Sequence, residues 1–138
     1  MRTLHVGLRV ADLDRSLAFY RALGYELVGS VPDTPLGRLT MLKLPGDDFV
    51  SLELVHDPAG DPVHRGNRLS HLVVQTADLD ATTARLAAGG IDTEVPGAPD
   101  EPDEIRTAWV TDPDGVRIEL VQWPPDHPDG MTAADFTD

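Results

Sequence analysis

The chain has 138 residues, a formal net charge of −13 and no cysteine. This length fits one domain with its own apolar core, and the lack of cysteine excludes disulfides, thiolate ligands and a thiol nucleophile. The negative charge disfavours nucleic acid and anionic lipid as partners, and no apolar run or signal-peptide core indicates membrane insertion or export, so we expect a soluble, cytoplasmic protein.

The first half of the chain predicts the element order β-α-β-β-β. Residues 4–10 are short and apolar, as in a strand. Asp12 is a good helix N-cap, and Gly24 suits the left-handed residue that ends a helix. Three further strand-like runs cover residues 26–30, 39–44 and 49–56.

The second half repeats this order. A strand at 69–75 precedes a helix that begins after Asp78 and ends near Gly90, and further strand-like runs cover residues 91–95, 105–111 and 116–123. The organisation predicted for the single domain 1–138 is module 1 at 3–57, a linker at 58–68, module 2 at 69–123 and an acidic tail at 124–138. The tail has the composition of a loose end, although it could dock on its own domain or on a neighbour.

An internal repeat underlies this symmetry. At an offset of 66 residues, His5 falls on His71, and Ala11-Asp12-Leu13-Asp14 falls on Ala77-Asp78-Leu79-Asp80. The same offset places Glu53-Leu54-Val55 on Glu119-Leu120-Val121. The two halves therefore share both their apolar pattern and their polar exceptions.

The polar exceptions predict a metal site. Strand side chains alternate between faces, which places His5, Glu53, His71 and Glu119 on the faces turned away from the helices. A lone strand histidine is usually a structural residue, and a lone glutamate usually faces solvent. Their joint recurrence at one offset favours function instead, because packing gives no reason to retain Glu among Leu, Val and Ile. Imidazole and carboxylate together suit Zn, Ni, Co, Fe or Mn better than Ca or Mg.

Residues 3–123 resemble the vicinal oxygen chelate superfamily, which includes glyoxalase I, bleomycin-resistance proteins, ring-cleaving dioxygenases and methylmalonyl-CoA epimerase. The resemblance rests on the segments 5–13, Phe19-Tyr20 before Gly24, and 112–115 leading into Ile118-Glu119-Leu120. It implies an α+β fold of two tandem βαβββ modules, whose curved mixed sheets surround a metal-binding cup. The ligand order His, Glu, His, Glu is similar to that of glyoxalase I.

That similarity implies a lactoylglutathione lyase-like enzyme, a lyase or isomerase that moves a proton through a metal-bound enediolate of a small dicarbonyl or thiol adduct. The implied catalytic base is Glu119, with Glu53 second, and Arg9 would contact the anionic end of glutathione. The implied cofactor is one divalent ion, Ni, Co or Zn before Fe or Mn. A homodimer is expected, with the cup formed within one chain or across two.

Two departures from short bacterial glyoxalases weigh against glutathione as the thiol. Asp57 stands where those proteins often carry Asn, and the loop at 96–104 is acidic where basic residues would help to bind an anionic adduct. The metal ligands are unaffected by either difference.

Two alternative functions remain open. The first is a metal-free protein that binds a drug or natural product in a cup lined by aromatic side chains, although ordinary core packing is the favoured role of each. These side chains are Phe19, Tyr25, Phe49, Trp109 and Trp123. The second is another metal-dependent reaction of the superfamily, such as dioxygenation or epimerisation. Three histidines lie outside the repeat and are expected on the surface or in loops: His56, His64 and His127.

Overall fold

The computed structural model describes residues 1–95 and 104–136. Within them the chain forms β1 (Val6–Arg9), α1 (Leu13–Leu23), β2 (Glu26–Val31), β3 (Arg38–Lys43), β4 (Leu52–His56), β5 (His71–Gln75), α2 (Leu79–Ala88), β6 (Arg106–Thr111), β7 (Arg117–Gln122) and a short 3₁₀ helix (Ala133–Phe136). They form two compact units, the first covering 1–67 and 112–115 and the second 68–111 and 116–138. The predicted α+β class is confirmed.

The first unit contains a four-stranded sheet in the order β1-β4-β3-β2. The outer strand β1 runs parallel to β4, and the remaining pairs are antiparallel. Alternating apolar side chains of these strands form the core, and Leu8, Leu52 and Leu54 are each buried. This burial fixes the register, because a slip of one residue would turn the same side chains to the opposite face.

The second unit contains a three-stranded sheet in the order β5-β7-β6. Its first strand again runs parallel to its last, and Val73 lies opposite Glu119 just as Gly7 lies opposite Glu53 in the first unit. The offset of 66 residues in the sequence is therefore also the offset between equivalent strand pairings.

Both helices begin as their sequences predict. The Asp12 carboxylate accepts a hydrogen bond from Arg15 N, and the Asp78 carboxylate accepts one from Ala81 N. Each bond satisfies an amide of the first turn that has no partner within the helix. Gly24 ends α1 at φ 120°. In the second helix the cap is Gly89, and the predicted left-handed residue Gly90 follows it at φ 80°.

The strand predicted at 91–95 is wrong. In its place the structure has one isolated bridge between Glu94 and Trp109. The run is short, and it is confined between Gly89-Gly90 and Pro96, which cannot donate to a sheet. The Glu94 side chain instead binds Arg117. The acidic loop predicted at 96–104 lies, apart from Glu104, outside the described residues.

The turn Asp112–Gly115 belongs to the first unit, where buried polar contacts hold it. The Tyr20 hydroxyl donates a 2.8 Å hydrogen bond to Asp112 Oδ2, and both residues are buried. Asp114 accepts weaker bonds from Ala11 N and the Ser16 hydroxyl. Burial, and then the Asp112 charge, raise the pKa of Tyr20 far above its ordinary value, so this phenol remains a donor.

Side-chain contacts join residues of the tail between 124 and 136 to each other and to the second unit. His127 stacks on Trp123 with ring centroids 4.5 Å apart, and its Nε2 lies 2.8 Å from Asp135 Oδ1. The Gln75 amide also donates a 3.4 Å hydrogen bond to Asp129. Separately, none of the described helices is long and apolar enough to cross a membrane.

Candidate metal centre

His5 and Glu53 form the first His–Glu pair. His5 directly precedes β1, and its Nε2 lies 3.2 Å from Oε2 of Glu53 on β4. Their side chains are 33 % and 13 % exposed, so both are partly accessible to solvent. A Cβ atom added to Gly7 would lie 3.5 Å from Glu53 Oε1, which shows that the carboxylate leans over this glycine.

His71 and Glu119 form the second pair in the same way. His71 begins β5, and its Nε2 lies 3.5 Å from Oε2 of Glu119 on the parallel strand β7. These side chains are 35 % and 23 % exposed. The structure thus brings the predicted ligands together two by two, with Nε2 of each histidine turned towards its glutamate.

Ser70 and Trp109 both contact His71 of the second pair. The Ser70 hydroxyl lies 2.9 Å from His71 Nδ1, the opposite nitrogen of the ring. Trp109 meets the His71 ring edge to face, with centroids 5.1 Å apart. These contacts restrict the tilt of the imidazole and keep Nε2 directed at Glu119.

The guanidinium group of Arg117 lies over the Trp109 ring. Arg117 lies 5.1 Å from the indole ring, and its two terminal nitrogens lie 2.6 Å and 3.0 Å from the Glu94 carboxylate oxygens. This two-point contact fixes the plane of the guanidinium. The hydrogen bond from Arg117 lowers the pKa of Glu94, and the Glu94 carboxylate raises the pKa of Arg117.

The first pair lacks these neighbours. At the positions equivalent by the repeat, Leu4 replaces Ser70 and Ser51 replaces Arg117. Met41 on β3 lies opposite Glu53, whereas Trp109 lies opposite Glu119. The repeat therefore retains the four donors but differs in the residues that hold them.

The donor chemistry fits a divalent transition metal. A neutral imidazole offers its Nε2 lone pair, and a carboxylate beside it supplies negative charge, a combination that Ni, Co, Zn, Fe and Mn accept. Across the ranges 1–95 and 104–136, no group of three or more His, Asp or Glu side chains is arranged to hold a metal ion. Each pair thus supplies half of the predicted donor set.

Arg9 lies in a cavity of about 490 Å³ within the first unit. The cavity is lined by Arg9, Asp57, Gly60, Asp61, Pro62, Val63 and His64. Asp57 Oδ1 accepts a 3.1 Å hydrogen bond from Ala59 N, which ties this carboxylate to its own loop. The predicted binding arginine therefore faces a cavity that also contains acidic side chains.

The predicted aromatic side chains lie in different environments. Phe19 and Tyr25 are core residues, Phe49 is 60 % exposed, and Trp109 is in ring contact with the predicted ligand His71. Sequence reasoning missed Ser70, Glu94 and Arg117 as neighbours of the second pair. The position of Ser70 directly before a predicted ligand was an available signal, whereas the Glu94–Arg117 contact had none.

The predicted family resemblance is confirmed by comparison with known proteins. Residues 2–120 match the family model described as the Glyoxalase/Bleomycin resistance protein/Dioxygenase superfamily. A probable lactoylglutathione lyase of Vibrio cholerae is 35 % identical over 125 residues, covering 88 % of this chain and 90 % of that protein. The lactoylglutathione lyase of Neisseria meningitidis serogroup A is also 35 % identical, over 126 residues, with coverages of 88 % and 91 %.

Solved structures with this fold include enzymes and binding proteins. A glyoxalase I mutant of Zea mays superposes with a TM-score of 0.75 at 25 % identity, covering 89 % of this chain and 45 % of that one. TnmS3, an antibiotic binding protein of Streptomyces sp. CB03234, gives a TM-score of 0.66 at 27 % identity, with coverages of 90 % and 97 %. The expected relation to lactoylglutathione lyases is thus confirmed, and a structurally similar protein without that name also exists.

Proposed function

The chain belongs to the Glyoxalase/Bleomycin resistance protein/Dioxygenase superfamily, and on this premise we propose that it is a metal-dependent, glyoxalase I-like lyase. The observation that carries the proposal is the repeated pairing of a histidine Nε2 with a glutamate carboxylate, His5 with Glu53 and His71 with Glu119. Relatives with 35 % identity that are named lactoylglutathione lyase support the reaction class.

The four paired side chains would hold one divalent ion, with Ni, Co or Zn the expected metals and Fe or Mn the alternatives. The proposal requires both pairs to act on one ion, supplied either by one chain or by two copies of a homodimer. When bound, the metal would supply Lewis-acid stabilisation of the negative charge that develops on the substrate oxygens.

Glu119 is the proposed base that moves the proton between the two carbon atoms, with Glu53 as the second candidate. Its side chain is 23 % exposed, against 13 % for Glu53, so it has more room to turn towards a substrate. His5 and His71 act as neutral ligands, and each needs a partner for the ring nitrogen that does not bind metal.

The substrate is proposed to be a small dicarbonyl or its adduct with a thiol, and Arg9 is the proposed contact for a negatively charged end. Asp57 and Asp61 line the same cavity as Arg9. Their charges would weaken the binding of an anionic adduct, so we expect glutathione to be a poorer thiol than one with fewer negative charges. A cytoplasmic location stays a prediction.

The test begins with metal analysis of protein purified without added metal, followed by a methylglyoxal assay with several thiols at equal concentrations. Glu119→Gln should lower kcat by at least about 100-fold, a loss in the range for one proton-transfer group, while substantial metal binding remains. Glu26→Gln, on β2 of the first unit, is the matched control and should behave as wild type. Full activity in Glu119→Gln would refute the assignment of the base.

A metal-free binding function is the second candidate, favoured by the likeness to the antibiotic binding protein TnmS3 over 97 % of that chain. Protein of this kind would purify without stoichiometric metal, would gain no activity from added Ni, Co or Zn, and would still bind a drug or natural product. Metal analysis combined with the thiol assay separates it from the lyase.

A further inference from the structure

Ser70 directly precedes His71, and its hydroxyl oxygen lies 2.9 Å from the His71 nitrogen that faces away from Glu119. Its side chain is exposed, and Nδ1 is its one side-chain hydrogen-bond partner within the described parts of the chain. The contact therefore contributes little to the stability of the core. It acts instead on the orientation of the His71 imidazole and on which ring nitrogen carries the proton.

A hydroxyl is suited to this position because it can both donate and accept a hydrogen bond. While Nε2 carries the proton and faces the Glu119 carboxylate, Ser70 can donate to Nδ1. When Nε2 gives its lone pair to a metal ion, the proton must lie on Nδ1, and Ser70 can then accept from it. The same side chain thus satisfies both tautomers of His71 after a rotation of its O–H bond.

His5 has no such partner within the described ranges 1–95 and 104–136. Leu4 occupies the position equivalent to Ser70, and among the residues that the structure describes no hydrogen bond to Nδ1 of His5 is present. The edge-to-face contact of Trp109 with His71 is likewise a feature of the second pair. The two histidines are equivalent in the repeat but unequal in their support.

We propose that Ser70 is a positioning residue that makes His71 the better-organised of the two histidine ligands, by serving as hydrogen-bond donor to Nδ1 without metal and as acceptor with metal. The inference rests on the proposed function for its metal-bound state. Partners of this kind typically change metal affinity by about 10- to 100-fold, and an exposed serine hydroxyl belongs at the lower end.

The first experiment uses the metal-free protein and nitrogen NMR of the imidazole rings, recorded above about pH 8, where ordinary histidines are neutral. In Ser70→Ala the His71 Nδ1 resonance should move towards that of His5 Nδ1, and in Ser70→Thr it should remain near its wild-type position. Leu4→Ala is the matched control, which should leave His71 unchanged. If Ser70→Ala leaves the His71 Nδ1 resonance unchanged, the proposed hydrogen bond between Ser70 and His71 is refuted.

The second experiment measures the dissociation constant for zinc by competition with a chelator. Ser70→Ala should weaken binding about tenfold, Ser70→Thr should restore it, and Leu4→Ala should not change it. With zinc bound, the spectra should place the His71 proton on Nδ1. Zinc affinity unaffected by Ser70→Ala would overturn the role of Ser70 alone, whereas a wild-type protein that binds none of Zn, Ni, Co, Fe and Mn would overturn the proposed function and the metal-bound step with it.

Discussion

The Tyr20–Asp112 hydrogen bond allows the stability of the first unit to be tested by removing one atom. Tyr20 is fully buried and Asp112 is 5 % exposed, and the hydroxyl donates to the carboxylate over 2.8 Å. In Tyr20→Phe the ring and its packing remain, but the donor is lost. Because the hydroxyl occupies little volume, the substitution leaves almost no cavity, and the change in free energy should report the hydrogen bond.

Hydrogen bonds to charged groups contribute about 1.5–3 kcal/mol, and a buried acceptor adds the cost of its lost solvation. Asp112 Oδ1 also accepts a 2.9 Å bond from Asp114 N, so the carboxylate stays partly satisfied in the variant. We therefore expect Tyr20→Phe to lower the free energy of unfolding by about 2 kcal/mol. For a chain of this length the corresponding fall in Tm is roughly 6–10 °C.

Urea denaturation at neutral pH, with the m value compared between variants, measures this loss. Tyr25→Phe is the matched control: Tyr25 is buried, and it packs edge to face on Tyr20 with centroids 5.7 Å apart. Burial and then the Asp47 charge raise its pKa to about 12, but no hydrogen bond to its hydroxyl is present in the described residues. It should lose under about 0.5 kcal/mol. Equal losses in the two variants would refute the assignment of the energy to the Asp112 bond.

Two further predictions concern a turn and the tail. Gly37→Ala should cost about 1–3 kcal/mol in chemical denaturation, since Gly37 has φ 102° and a Cβ would lie 2.5 Å from a backbone oxygen, whereas Gly46→Ala meets no atom within 4 Å and should be nearly neutral. Hydrogen bonds to the Pro128 carbonyl and to Asp135 raise the pKa of His127 above 6.5, so the His127–Asp135 contact should be complete below that pH and weaken as pH rises through the raised value. Trp123 fluorescence should follow this step, and His127→Gln should abolish it; a step that persists in the variant would assign it to another group.

Local signals in the sequence were sufficient to predict the two helices. Asp12 and Asp78 are caps whose action needs only the next three residues, so their role was readable without tertiary structure. The pairing of His5 with Glu53 required more, namely that the first and last strands of a unit lie side by side. The repeat singled out both residues, because it retained them at one offset, but the structure supplies their pairing.

The failures have a different physical origin. Residues 91–95 have the composition of a strand, but pairing along a whole strand depends on a neighbour, and here only Glu94 forms a bridge. Likewise, the buried contact of Tyr20 with Asp112 joins residues 92 positions apart, and the Arg117–Glu94 contact joins different elements. Such contacts depend on tertiary geometry that alternation and propensity do not encode.

The parallel pairing of first and last strands explains why the donors persist while their surroundings diverge. Gly7 pairs with Glu53, and Val73 pairs with Glu119. In each unit the histidine lies two residues before that pairing residue, so the parallel strand register alone brings it to the glutamate. Side chains beside that register, such as Ser70 or Trp109, can change without moving the donors. We expect any difference between the pairs to arise from these flanking residues, so exchanging Ser70 and Leu4 is more informative than exchanging the proposed ligands themselves.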